Sequence, residues 1–315
     1  MENRPELVVY LGDALARYSF GEDHPFGPKR HNAFRLCFET LGLDKRSDVL
    51  APVTATDEQI LRFHSDAYLD QVKTQSITGT GYLDYGDTPA FRGVYEAAST
   101  VVGTVLDGLR RLMDRRCRRV FDPIAGLHHA RRDSAAGFCV CNDCGVAIEM
   151  LLGEYGCSRV AYVDIDAHHG DGVYYSFEDE PRLVFADLHQ DGRTLYPGTG
   201  FAAESGTGAA KGTKLNIPMP PGADDEAFLQ AWPRVEALIG EYPPEVILFQ
   251  CGADSIAGDP ITQMRYSPKA HAHAATRLRA LADVHCEGRL LAMGGGGYDL
   301  SNLARGWCEV VAALS

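Results

Sequence analysis

The sequence predicts an α/β fold: a central, mostly parallel β-sheet with helices on both faces, built as a single domain over residues 1–315. Two patterns predict it. Short apolar runs occur that do not alternate with polar residues, as expected of parallel strands covered on both faces. Segments of helical length lie between them. The strand-like runs are residues 7–11 (LVVYL), 160–165 (VAYVDI), 183–185 (LVF), 246–249 (VILF) and 290–293 (LLAM). They are rich in Val, Ile, Leu, Phe and Tyr and too short for helices. The helical segments are 56–72, 92–113, 143–154, 225–239 and 268–284. The first opens on Thr56 with Glu58 and Gln59 in its first turn, a helix-start signal. The Gly/Pro-rich connector at 196–212 reads as a long functional loop.

Composition narrows the class. The 315 residues are 45% hydrophobic, enough for a large core, and no linker, repeat or low-complexity run divides them. A net charge of −13 argues against direct nucleic-acid binding, which needs dense Lys and Arg. It is compatible with a cationic substrate. The N-terminus MENRPELVVYLGDA does not read as a signal peptide, and no apolar stretch reaches the roughly 20 residues of a membrane span. A cytoplasmic protein with reduced thiols is the expectation for its nine cysteines. Cys139, Cys141 and Cys144 cluster, but the second pair of a structural zinc site is missing, so they read as small buried thiols.

Four segments carry chemistry: GLHHA at 126–130, DIDAHHGDG at 164–172, QCGADS at 250–255 and GGGGY at 294–298. Asp166 and His168 directly follow the strand VAYV and, two apart in extended chain, can share one face. Asp254 follows another strand, and in a parallel sheet the carboxyl ends of strands share one rim. One imidazole and two carboxylates make three ligands and leave a position open, the pattern of a catalytic zinc site. The oxygen-rich set also suits Fe(II). Against this, Asp-x-Asp-x-His can be capping and turn chemistry, His128 and His129 can be a buried pair, and four glycines can be a tight loop. The pieces gain weight together: a metal-bound water needs a base, and amide hydrolysis needs an oxyanion donor.

In order and content these segments resemble the zinc-dependent histone deacetylase family of the arginase–deacetylase fold. The resemblance also covers HPFGPKR at 24–30, GDTPAF at 86–91, GFCVCND at 137–143, LYPGTG at 195–200 and CGADSIAGD at 251–259. It is similar to the bacterial-type deacetylases known as acetoin utilisation proteins. The resemblance implies that Asp166, His168 and Asp254 bind Zn2+. It implies that His129 is general base and then acid, that His128 acts electrostatically, and that Asp164 and Asp171 orient His128 and His129 respectively. Tyr298 matches the oxyanion donor. Gly137, Phe138 and Tyr196 match the walls around the acyl-lysine stem, Ile261 a rim leucine, and Gly296 a further substrate-binding position. Asp87 matches the rim aspartate that holds a peptide backbone. Arg30 and Cys139 match the lining of an internal acetate-release cavity.

A structural K+ is expected at Asp164 and the backbone of Asp166 and His168. Asp187 replaces the family's usual serine there and is expected to add a carboxylate. The implied substrate is acetylated lysine in a protein or peptide. The alternatives are an acetylpolyamine or other small acylated amine, and a silent module that only recognises acyl-lysine.

Overall fold

The computed structural model describes residues 5–315. The reading of the N-terminus falls partly on residues 1–4, outside the described residues. The strands are β1 (Leu7–Tyr10), β2 (Asp48–Leu50), β3 (Arg119–Asp122), β4 (Val160–Asp164), β5 (Leu183–Gln190), β6 (Lys214–Met219), β7 (Val246–Gln250) and β8 (Leu290–Met293). They form one eight-stranded sheet in the order β2-β1-β3-β8-β7-β4-β5-β6. Every pairing is parallel, where the sequence predicted mostly parallel ones.

Successive side chains of the central strands enter opposite cores. Tyr162, Leu248 and Leu291 join the helices Val94–Met113 and Asp143–Gly153 on one face. Ala161, Val163, Ile247 and Phe249 join Pro268–His285 and Leu300–Leu314 on the other. Both faces are dry, which is why the strands read as unbroken apolar runs.

Two predicted helices are each divided in two. Residues 56–72 hold Asp57–Ile60, capped by a Thr56–Gln59 capping box, and then Asp66–Thr78, where the Ser65 hydroxyl accepts from Tyr68 N. Residues 225–239 hold Asp225–Ala231 and Pro233–Glu241, because Pro233 opens a new first turn. No helix of the described residues is long and apolar enough to cross a membrane.

Packing sets the loop after β8. The buried Trp307 indole donates to Gly294 O (2.9 Å), and its ring meets Phe34 edge-on at 5.8 Å. Truncating such a side chain costs about 3–5 kcal/mol and would free this loop.

Candidate active site

The four central strands β3, β8, β7 and β4 end side by side. Their carboxyl ends deliver, in that order, the His128–His129 loop, the GGGG loop, Gln250 with Asp254, and Asp164 with Asp166 and His168.

Asp166, His168 and Asp254 are buried, and one ligand atom of each lies within 4.8 Å of the others. His168 Nδ1 is 3.1 Å from Asp166 Oδ1 and 3.0 Å from Asp254 Oδ2. The remaining oxygens are pinned. Asp166 Oδ2 accepts from Gly296 N (2.8 Å) and Gln250 Nε2 (2.9 Å), and Asp254 Oδ1 accepts from Ala167 N (2.8 Å). Burial and the nearby Asp166 push the Asp254 carboxyl up to about 7. Burial works against the charge of Asp166, yet His128 and His168 hold it well below the usual carboxylate range. Burial likewise opposes the His168 cation, but Asp166 and Asp254 outweigh it and push the imidazole up to about 10.

Two carboxylates packed into the interior demand positive charge. The donor set, one imidazole and two oriented carboxylates, fits a divalent cation. Among the described residues no other group of three His, Cys, Asp or Glu does so, and none of the nine cysteines is in a disulfide.

Beside this triad, His128 Nε2 and His129 Nε2 are 3.2 Å apart. His128 Nδ1 faces Asp164 Oδ2 at 2.8 Å, and His129 Nδ1 faces Asp171 Oδ1 at 2.7 Å. Burial opposes the charged form of His128, yet Asp164 and Asp166 push it up to about 10. Burial, and then the neighbouring His128, pushes His129 down to about 4. The two rings are thus biased in opposite directions, His128 towards its cation and His129 towards its neutral form. Burial raises Tyr298 well above its ordinary value, as does Asp254, so its hydroxyl keeps its proton.

A cavity of about 220 Å³ leads to the site, lined by Asp87, Gly137, Phe138, Tyr196, Ile261 and Tyr298, with His129 and His168 at its floor. Tyr196 meets the His129 ring edge-on at 5.2 Å. Gly137 has φ +51°, and a Cβ there would lie 2.6 Å from the His129 ring. An inner void of about 20 Å³, room for roughly one water, is lined by Cys139, Gly296, Asp166 and Tyr298. Arg30 is not in that lining. It lies beside a separate cavity of about 310 Å³ that shares Tyr298, and it donates to Gly295 O (2.6 Å) and Gly297 O (2.8 Å).

Three partners were missed by the sequence reading. Gln250 bridges Asp166 to the loop before the histidines, donating also to Gly126 O (3.2 Å). Asp143 accepts from Gly126 N (2.7 Å) and Leu127 N (2.8 Å), and so fixes the entry to His128. Tyr162 donates to Asp164 Oδ2 (2.7 Å). All three stand inside or beside the quoted motifs, which was their only signal. Asp187 shows a partner that was not foreseen. Its Oδ1 faces His189 Nδ1 at 2.8 Å, and its Oδ2 accepts from Gly170 N at 2.9 Å.

Known proteins share this arrangement of chain. The acetoin utilization protein AcuC of Bacillus subtilis (strain 168) is 35% identical, over 98% of this chain and 81% of its own length. The histone deacetylase RPD3 of Saccharomyces cerevisiae is 32% identical, over 98% and 72%. Among solved structures, the HDA15 HD domain superposes with a TM-score of 0.91 at 26% identity, covering 98% of this chain and 88% of that one. The histone deacetylase domain matches residues 24–314, a span that takes in every site residue named above, and the chain belongs to the histone deacetylase family, with the fold that family implies.

Proposed function

We propose that this deacetylase hydrolyses the acetyl amide of N-ε-acetyl-lysine in a protein or peptide. The observation that carries the reading is the buried Asp166–His168–Asp254 triad beside two imidazoles, each backed by its own carboxylate, with His168 and His129 lining a cavity shared with Asp87, Phe138 and Tyr298.

Asp166, His168 and Asp254 would hold Zn2+, with Fe2+ also suited to the donors, and the ion would polarise the amide carbonyl and acidify a water. His129, held neutral with Nδ1 against Asp171, takes the water's proton at Nε2. Asp171 fixes that ring's tautomer and raises its basicity. His128, held cationic by Asp164, stabilises negative charge as it develops. The Tyr298 hydroxyl donates to the carbonyl oxygen as it becomes an oxyanion. His129 then returns its proton to the departing amine. Phe138 and Tyr196 flank the methylene stem and exclude water, while Asp87 at the rim favours a lysine within a peptide over a free polyamine. A structural K+ would rest on Asp164 and the backbone of Asp166 and His168. Asp187 would contribute there as the partner of His189 rather than as a free carboxylate.

Acetate release is the test. An acetyl-lysine peptide should be hydrolysed at least tenfold faster, by kcat/KM, than N-acetylputrescine or N-acetylspermidine. A reversed order would transfer the reading to small acylated amines, and binding without acetate release would make the chain a recognition module.

A further inference from the structure

Phe138 forms one wall of the cavity in a backbone conformation it would not choose. Ala136 and Cys139 exchange both backbone hydrogen bonds, at 3.1 and 2.8 Å, around Gly137 and Phe138, whose φ angles are +51° and +67°. This is a two-residue turn with both central residues left-handed, a geometry that favours Asn-Gly and is strained for an aromatic residue. Such strain persists only where the surroundings enforce it. Two hydroxyls do so here. Tyr18 Oη donates to Phe138 O (2.7 Å) and accepts from Val140 N (2.8 Å). Thr88 Oγ1 accepts from Phe138 N (3.1 Å).

The Thr88 hydroxyl is fully buried, and its own proton goes to Asp84 Oδ2 (2.6 Å). The other oxygen of Asp84 accepts from the backbone of Gly86, Asp87 and Thr88, each at 2.9 Å. Asp84 therefore shapes the loop that carries Asp87, and Thr88 ties that loop to the strained wall opposite. Asp87 and Phe138 line the same cavity.

We propose that Thr88 is a positioning residue for substrate. Its hydroxyl couples the Asp87 rim loop to the Phe138 wall, so that the peptide backbone and the acyl-lysine stem are placed as one unit. The inference rests on the reading of the substrate as an acylated lysine in a peptide.

A double-mutant cycle tests it, with the KM and dissociation constant of an acetyl-lysine peptide as readouts and the melting temperature as the fold control. Thr88→Val should raise both constants about tenfold, since a buried N–H loses its acceptor and a carboxylate its donor. Thr88→Ser, which keeps the hydroxyl, should stay within about twofold of wild type. Asp87→Ala should weaken binding in the wild-type background but change little when added to Thr88→Val, the signature of coupled sites. Should Thr88→Val not fold, Asp84→Asn takes its place in the cycle, because its amide donates where the carboxylate accepted. Wild-type constants in Thr88→Val, or fold-changes that simply multiply, would overturn the coupling while leaving the functional reading intact. A wild type that neither binds nor hydrolyses the peptide would sink the functional reading and this inference with it.

Discussion

Gly296→Ala should empty the proposed metal site without unfolding the protein. Gly296 N donates to Asp166 Oδ2, so its Cα sits directly over the two carboxylates. A Cβ there would lie 2.2 Å from Asp254 Oδ2 and 2.8 Å from Asp166 Oδ2. To regain an ordinary contact of 3.4 Å, Asp254 Oδ2 must retreat by about 1.2 Å and Asp166 Oδ2 by about 0.6 Å. Metal–ligand distances tolerate only about 0.2 Å. Asp254 cannot slide freely, since its other oxygen is held by Ala167 N. At least one ligand is lost, and zinc affinity should fall about 100-fold or more, the upper end of what disturbing a ligand's surroundings costs. Competition against a chromophoric chelator measures the affinity, and circular dichroism with a thermal melt reports the fold. Gly153→Ala is the control, because a Cβ there meets nothing within 4 Å. Wild-type zinc affinity in a folded Gly296→Ala protein would refute the placement of the ion against Asp254 and Asp166.

Three further outcomes follow from the site and its supports. Tyr298→Phe should lower kcat by about 100- to 1000-fold with little change in melting temperature, the usual loss of one oxyanion donor; turnover within threefold of wild type would remove Tyr298 from that role. Asp171→Asn should cut kcat by about 100-fold or more, since an amide no longer enforces the base tautomer of His129. An unchanged pH–rate profile in that variant would contradict the pairing. His64 is held neutral, pushed down to about 4 by burial, and its Nε2 accepts from Asn142 N (2.9 Å) next to Asp143. Its folded pKa lies below the unfolded value of about 6.5, so its contribution is complete above pH 6.5 and is lost as pH falls towards 4, by up to about 3 kcal/mol. Urea titrations at pH 7 and pH 4.5 should show a smaller pH-dependent loss in His64→Gln than in wild type; identical slopes would exclude His64 as a source of acid sensitivity.

Much of this architecture was legible because the chemistry sits where the chain pattern changes. β4 and β7 read as unbroken apolar runs, and the proposed metal ligands follow within a few residues of their ends. β3 was missed because RVFD is only four residues after an arginine-rich stretch, and its burial comes from pairing with β1 and β8. β6 was missed because KLNIPM alternates and contains a proline, which its edge position tolerates. The helices Lys29–Thr40 and Leu300–Leu314 were also missed, the first because its exposed face is highly polar. In the site, the buried triad and the histidine pair could be named as candidates from spacing and resemblance. Gln250, Asp143, Tyr162 and Thr88 could not be given roles. A single buried amide, acid or hydroxyl acquires meaning only from partners that tertiary packing brings to it. Asp187 was expected to add a carboxylate beside a cation, and only the fold shows that His189 faces it.

Metal titration of chelator-stripped protein, with anomalous diffraction from the same sample, tests the central claim most directly. One zinc per chain should bind, with a single anomalous peak between His168 Nδ1, Asp166 and Asp254, and acetate release should return in proportion to occupancy. In Asp254→Ala the peak should vanish and hydrolysis should stay absent. A peak elsewhere, or full hydrolysis by metal-free protein, would contradict the account.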